Sequence, residues 1–301
     1  MATQSNVLTD VRRTHAGGQT RRSMLALNQV LLYGGLCALA LLFMFPFFWT
    51  VTSSLKRIDE LYVFPPKLFP EIPQWQNYVT VLQVVPFLRW AWNSLLVVLL
   101  STTGTVLTAA LAAYAFARFR FRGRNLLFII TLGTLMLPAQ VTLIPQYVLF
   151  HKLGWINTLK PLWVPAWFGG NAFAIFLIRQ FMLTVPRELD EAALIDGAGY
   201  ARIFTRIILP LCKPVLATIT VITFNDVWND FVNPVIYLQL PEKFTLAAGL
   251  NYFRTVPEVG GEPTQHLLMA ASVMVIVPVI VLFFATQRYF VRGIVLSGIK
   301  G

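Results

Sequence analysis

Six stretches of this chain are continuously apolar, and short segments rich in Pro, Gly and charge separate them. They fall near residues 29–50, 93–117, 126–150, 159–182, 214–238 and 266–287. Each approaches or exceeds the roughly 20 residues that a helix needs to cross about 30 Å of hydrocarbon. The runs do not alternate between apolar and polar positions, which argues against a transmembrane barrel. The pattern predicts an all-α polytopic membrane protein with six transmembrane helices. Residues 29–301 form its transmembrane domain, and residues 1–28 read as a disordered, basic, polar tail. Thr20-Arg21-Arg22-Ser23-Met24-Leu25 approaches a twin-arginine export signal. The apolar run behind it is long and shows no small-residue cleavage site, so an uncleaved first span is expected.

The fourth and fifth runs are separated by a different kind of segment, residues 184–213. Pro186 suits a first helical position, and Glu188, Asp190 and Glu191 place negative charge in the early turns. Ala192, Ala193 and Leu194 favour helix, and Gly197 and Gly199 end it. A second short helix is expected from Tyr200 to about Leu209, with Arg202 and Arg206 one turn apart, and Pro210 marks its end. Two short helices joined by a glycine turn would stand on the membrane face as a knob. Small residues such as Ala192, Ala193 and Gly197 would let another surface approach it. A plain inter-helix loop and a DNA-binding helix-turn-helix also share this pattern. The position between two spans argues against the latter.

Composition supports the membrane reading: 56% of the 301 residues are hydrophobic and 12% are charged, against about 25% charged in soluble domains. The net charge of +11 follows from topology. With the N-terminus inside, sixteen Lys and Arg fall in or beside inner segments and eight in outer ones. That asymmetry favours cytoplasmic N- and C-termini. Arg118, Arg120, Arg122 and Arg124, evenly spaced in one short hairpin, form the sharpest inside marker. Nucleic-acid binding is not needed to explain the charge. Segment 51–92 carries Trp75, Tyr78, Trp90 and Trp92, as an interfacial aromatic belt would. Segment 239–264 reads equally as a docking loop or a solvated connector. Cys37 and Cys212 lie in different segments and form no metal or disulfide pattern.

The knob carries a specific motif. Glu191, Ala192 and Ala193 are followed after three residues by Gly197, and after nine more by Ile207, Leu209 and Pro210. This resembles the signature of the permeases of ATP-binding-cassette (ABC) importers, without a gap. Two further stretches are similar to the carbohydrate uptake branch, the maltose-type inner-membrane components. One is Trp228-Asn229-Asp230-Phe231-x-x-Pro234, with Glu242-Lys243-x-Thr245-Leu246 behind it. The other is Gln287-Arg288-x-x-Val291-x-Gly293, ending Gly298-Ile299-Lys300-Gly301. The resemblance covers residues 25–301. It implies a multi-pass subunit of a bacterial or archaeal cytoplasmic membrane. The partners it implies are a second homologous permease, a cytoplasmic ATPase dimer and an extracytoplasmic solute-binding protein. The knob would enter a cleft on the ATPase, with Glu191, Arg202 and Arg206 as polar contacts and Gly197 permitting the turn. The tail from Ser297 through Gly298 and Lys300 to Gly301 would reach the ATPase interface.

The chain itself has no phosphate-binding loop. In Gly293-x-x-x-x-Gly298-Ile299-Lys300 the Lys does not follow the second Gly, no Ser or Thr comes next, and no strand precedes it. ATP and Mg are therefore expected on the partner chain, with no cofactor, metal or catalytic residue here. Within the fifth run, Asn225 and Asn229, and Asp226 and Asp230, lie four residues apart along a helix face, with Trp228 beside them. A polar stripe with an aromatic suits a sugar, and these residues are the candidate pathway lining. Helix-to-helix hydrogen bonding is the other reading. His15, His151 and His266 lie in the tail or near span ends. A secondary, ion-coupled transporter and an intramembrane enzyme are the competing functions. The solute is not legible in the residues.

Overall fold

A computed structural model describes residues 4–169, 171–255, 258–259 and 262–297, with side chains described within 29–138, 140–169, 171–251 and 264–287. In chain order the described helices are α1 (Gln4–Ser54), α2 (Ile58–Leu61), α3 (Gln76–Val84), α4 (Phe87–Arg118), α5 (Arg124–Gly133), α6 (Ala139–Lys152), α7 (Lys160–Trp163) and α8 (Ala172–Thr184). They continue with α9 (Glu188–Ile195), α10 (Tyr200–Ile203), α11 (Leu209–Leu211), α12 (Lys213–Trp228), α13 (Val232–Tyr237), α14 (Leu246–Thr255) and α15 (Gln265–Ser297). A two-residue antiparallel pairing joins Glu258–Val259 to Glu262–Pro263. Residues 4–28, expected as a disordered tail, instead continue α1 as helix.

All six apolar windows are helical, but they do not all form straight spans. Four segments are long and apolar enough to cross a membrane: Gln29–Ser54, Phe87–Arg118, Lys160–Thr184 and Gln265–Gln287. Two more regions qualify only as bent pairs. Arg124–Met136 meets Gln140–Lys152 at 100°, and Tyr200–Leu211 meets Lys213–Trp228 at 76°. The first bend falls where Leu137 turns extended before Pro138. Proline has no N–H to donate and pushes the preceding residue out of the helical region. The expected straight span 214–238 is corrected likewise. Helix α12 stops at Trp228, and α13 restarts at Val232 after Asp230 accepts from the Asn233 backbone N–H at 3.2 Å.

The fourth span is broken as well, and α4 supplies what the break leaves open. Between α7 and α8 the chain passes through a tight turn, Val164–Phe168, then Gly169 at φ +74°. Asn171 caps α8 by accepting from the Ala174 N–H at 2.9 Å. In lipid a freed carbonyl finds no water and needs a protein donor. Ser101 Oγ donates to the Leu162 carbonyl at 3.1 Å, and Thr108 Oγ1 to the Ala166 carbonyl at 3.2 Å. Gly104, between them on the same helical face, lies directly beneath Trp167.

Two cores result, one towards each end of α4. Towards its C-terminal end, Ala109, Ala110, Ala113 and Ala117 allow close approach of α8, through Ala174, Ile175, Ile178 and Met182. Small residues serve this purpose where lipid provides no hydrophobic drive between helices. Ile203, Phe204, Ile208 and Ile219 join the same core. At the N-terminal end, Trp90 packs with Val81, Val98, Trp228, Leu246 and Leu267. Helix α1 packs on α15, yet its residues Val30–Phe47 are exposed throughout, as suits a helix bathed in lipid.

The segment 239–264 begins as an anchored element. Trp90 Nε1 donates to the Pro241 carbonyl at 2.7 Å, and Asn93 Nδ2 to the Glu242 and Phe244 carbonyls at 3.2 and 3.0 Å. Ser94 Oγ accepts from the Leu246 N–H at 2.7 Å. Asn157, at φ +58°, accepts from the N–H groups of Gln239 and Leu240, and its carbonyl receives Lys243 Nζ at 2.6 Å. The Glu242-Lys243-x-Thr245-Leu246 stretch is thus a seam to α4. A Cβ on Gly249 would stand 2.2 Å from the Trp90 ring, which its hydrogen bond holds in place. Gly249→Ala is expected to cost about 1–3 kcal/mol by overpacking. The check is the Tm of the purified protein in detergent, with Gly133→Ala, where nothing lies within 4 Å, as the unaffected control.

Candidate functional site

The knob forms as two short helices. Helix α9 opens with Glu188, Asp190 and Glu191 in its first turn. At its end the Gly197 N–H donates to the Leu194 carbonyl at 3.0 Å and the Ala198 N–H to the Ala193 carbonyl at 2.9 Å. This is the six-to-one and five-to-two pair of a Schellman motif, which needs a left-handed residue. Gly197 supplies it at φ +79°. Gly199 then runs extended into α10, a π turn follows over Phe204–Ile208, and α11 ends at Leu211. Cys212 is fully buried at the corner before α12.

The structure divides the motif between two faces. Glu191, Ala192, Gly197, Arg202, Arg206 and Pro210 are exposed. Ala193 is buried, and Ile207 and Leu209 pack against the core that α4 and α8 share. Ala193, expected to offer room to another surface, is instead where the knob's own domain approaches. Apolar Leu189, Leu194, Tyr200 and above all Ile195, 86% exposed, complete the outward face.

What holds the knob is a buried ion pair between two residues that the sequence reading placed apart. Arg118 Nε lies 2.8 Å from Asp190 Oδ2, with side chains 4% and 15% exposed. The same guanidinium donates to the Val185 carbonyl at 3.0 Å, and Arg187 donates to the Ala117 carbonyl at 3.1 Å. The end of α4 and the start of α9 therefore exchange bonds in both directions. Burial pushes the Asp190 carboxyl above its ordinary value, outweighing the opposing pull of Arg118 and Arg187. Such a pair gains little net energy by forming, yet costs much when one partner is lost. Beside it opens a cleft of about 140 Å³ lined by Tyr114, Arg118, Arg187, Asp190, Glu191, Leu194 and Tyr200. In the sequence Arg118 read as one of four topology markers and Asp190 as a helix-end charge, and no local signal joins them.

The candidate pathway residues separate. Asn225, Asp226 and Asn229 are exposed on the last turn of α12. Asn229 Nδ2 donates to the Asn225 carbonyl at 2.8 Å and to its Oδ1 at 3.0 Å. Asp230 is half-buried and receives the N–H and side-chain amide of Asn233, which ties it to the first turn of α13. Trp228 lies away from that face: it is 4% exposed, stacks on Phe224 and donates to the Val275 carbonyl at 3.3 Å. Of the tail, Ser297 closes α15, and Gly298, Lys300 and Gly301 lie outside the described residues.

A helical membrane body that carries an exposed knob, tied to the end of α4 by an ion pair and two side-chain hydrogen bonds, fits a membrane transport subunit. The chain belongs to the family described as the binding-protein-dependent transport system inner membrane component, which matches residues 104–296. The arabinooligosaccharides transport system permease protein AraQ of Bacillus subtilis is 32% identical over 266 residues, 87% of this chain and 92% of the relative. The sn-glycerol-3-phosphate transport system permease protein UgpE of Yersinia pestis is 35% identical over 262 residues, 85% and 92% of the two chains. Among solved structures, a bacterial ABC transporter involved in the import of the acidic polysaccharide alginate superposes with a TM-score of 0.79. Its chain is 25% identical, and the match covers 88% of this chain and 96% of that one.

The ion pair predicts strong non-additivity. Arg118→Met and Asp190→Leu are each expected to cost about 3–5 kcal/mol, because each leaves a charge buried alone. The double variant should lose far less than the sum. Thermal unfolding of the four proteins of the cycle measures the coupling.

Proposed function

We propose that the chain is one of two permease subunits of an ATP-driven importer for a sugar, an oligosaccharide or a polyol phosphate, delivered by an extracytoplasmic binding protein. The observation that carries this reading is the knob of residues 188–211, held to α4 by the buried Arg118–Asp190 pair. Family membership and the names of the arabino-oligosaccharide and glycerol-phosphate relatives support the importer class and bound the solute.

In this reading Glu191, Ala192, Gly197, Arg202, Arg206 and Pro210 meet a cytoplasmic ATPase, which binds ATP and Mg. Ala193, Ile207 and Leu209 pass its motion to α4 and α8. The subunit does no covalent chemistry. It alternates between two conformations of a pathway, and the ATPase biases which is populated. Asn225, Asp226 and Asn229 face that pathway, and the tail Ser297–Gly301 reaches the ATPase. The termini are cytoplasmic, as the Lys and Arg distribution favours. A rigid link between the knob and α4 is what such coupling requires, since a knob that swings freely would move without moving the spans.

The test is uptake into proteoliposomes holding the whole complex, with ATP inside and no ion gradient, using labelled arabino-oligosaccharide and labelled glycerol 3-phosphate in turn. Binding-protein-dependent uptake of one of them that stops without ATP is the expected result. Uptake that follows an ion gradient and ignores ATP would identify a secondary transporter instead. Gly197→Val forces a β-branched residue into a left-handed conformation, a strain of about 1–2 kcal/mol. ATP-coupled uptake should fall at least tenfold while the complex still assembles on size-exclusion chromatography.

A further inference from the structure

The hairpin between α4 and α5 holds more positive charge than the knob uses. Arg118 is spent on Asp190. Arg120 and Arg122 are fully exposed on the turn, and Gly123, at φ +84°, reverses the chain. Arg124 is held in place by its own turn, with Nη1 donating to the Phe119 carbonyl at 3.2 Å. Arg179 of α8 lies across the Phe128 ring at 4.1 Å, and Phe128 sits one helical turn from Arg124 on the same face of α5. Arg124 and Arg179 are thus drawn to the same neighbourhood. Among the described residues, none of Arg120, Arg122, Arg124 and Arg179 pairs with an acid.

This unneutralised charge borders an open cleft of about 300 Å³ lined by Arg120, Phe121, Gly123, Arg124, Asn125 and Leu126. Immediately along α5, Leu126, Leu127, Ile129 and Ile130 are exposed. Guanidinium groups gathered at the end of a span, one of them held by the Phe119 carbonyl, with apolar side chains running away from them along α5, match the outline of one phospholipid: a phosphate above two acyl chains. An acidic protein surface would be complementary to the arginines alone and would leave the apolar row to bulk lipid, whereas a single phospholipid meets both.

We propose that the Arg120–Leu127 hairpin is a binding site for an anionic phospholipid of the inner leaflet, with Arg120 and Arg124, which line the cleft, on its phosphate, Arg122 adding charge from the adjoining turn, and Leu126, Leu127 and Ile130 along its acyl chains. The site needs only that the chain spans a membrane with this hairpin on the inner side, so it stands or falls independently of the solute and the energy source. Bound lipid would sit two residues beyond the Arg118 anchor of the knob, which places headgroup charge next to the element that takes up force.

The test is native mass spectrometry of the detergent-solubilised whole complex, titrated with phosphatidylglycerol, with phosphatidylcholine, and with inorganic phosphate. Each basic residue near an anionic surface is worth roughly fivefold in affinity. Arg120→Gln, Arg122→Gln and Arg124→Gln together should therefore weaken phosphatidylglycerol retention by about two orders of magnitude. Phosphatidylcholine retention and the Tm should be unchanged. Equal retention of the two lipids by the unaltered protein, or undiminished phosphatidylglycerol on the triple variant, overturns the proposal. Phosphate binding that matches phosphatidylglycerol would show an anion site without lipid recognition. Loss of a partner chain from the triple variant would show a protein contact. Either result also overturns it. Leu126→Asn with Leu127→Asn separates the acyl contribution: phosphatidylglycerol retention falls while phosphate binding stays the same.

Discussion

The arrangement of this protein depends on one buried pair of charges. Arg118 ends the longest packed span, Asp190 opens the knob, and their side chains meet at 2.8 Å, largely withdrawn from water. Neither could be buried alone, because an isolated charge in such a place costs several kcal/mol. Each therefore commits the other to position. The reciprocal bonds from Arg118 to Val185 and from Arg187 to Ala117 leave the knob no independent hinge at that end. The Schellman turn at Gly197 and the buried Ile203, Phe204 and Ile208 secure the other side. A surface element made this rigid is suited to receive force and deliver it to α4.

A second constraint is the absence of water in the membrane. Three apolar windows are interrupted, at Pro138, at Gly169 and at Asn229–Phe231, and each interruption frees carbonyls or N–H groups. The structure answers with short polar side chains: Ser101 and Thr108 on the broken fourth span, Asn171 as a cap, and Asp230 on the first turn of α13. Much of the intramembrane polarity that reads as a solute pathway is therefore bound up in maintaining the breaks. Of the candidate pathway residues, Asn225, Asp226 and Asn229 remain exposed at the C-terminal end of α12.

The sequence reading and the structure differ most where one residue type can serve two purposes. Trp228 looked like a sugar platform because it sits beside polar residues. Yet tryptophan four residues from Phe224 equally fills a core, and that is where it lies. Ala193 looked like an open surface because it is small. Smallness also permits burial against one's own domain. The Glu242-Lys243 stretch read equally as loop or dock, and Trp90, Asn93 and Ser94, some 150 positions earlier, turn it into a seam. In each case local composition left two environments open and a distant residue chose between them.

By itself, the sequence determined the class of the protein. The lengths of its apolar runs, the side on which arginine accumulates and the spacing from Glu191 to Pro210 are properties of a one-dimensional string, and each has a direct physical meaning. It also determined where the knob turns, since only glycine takes up the left-handed conformation at position 197 without strain. The tertiary structure decided which charges are partners, which helices are broken, and which half of the motif faces outward. Those outcomes depend on groups far apart in the chain meeting where water is scarce, and the partner a polar group finds there is whichever residue the fold brings within reach.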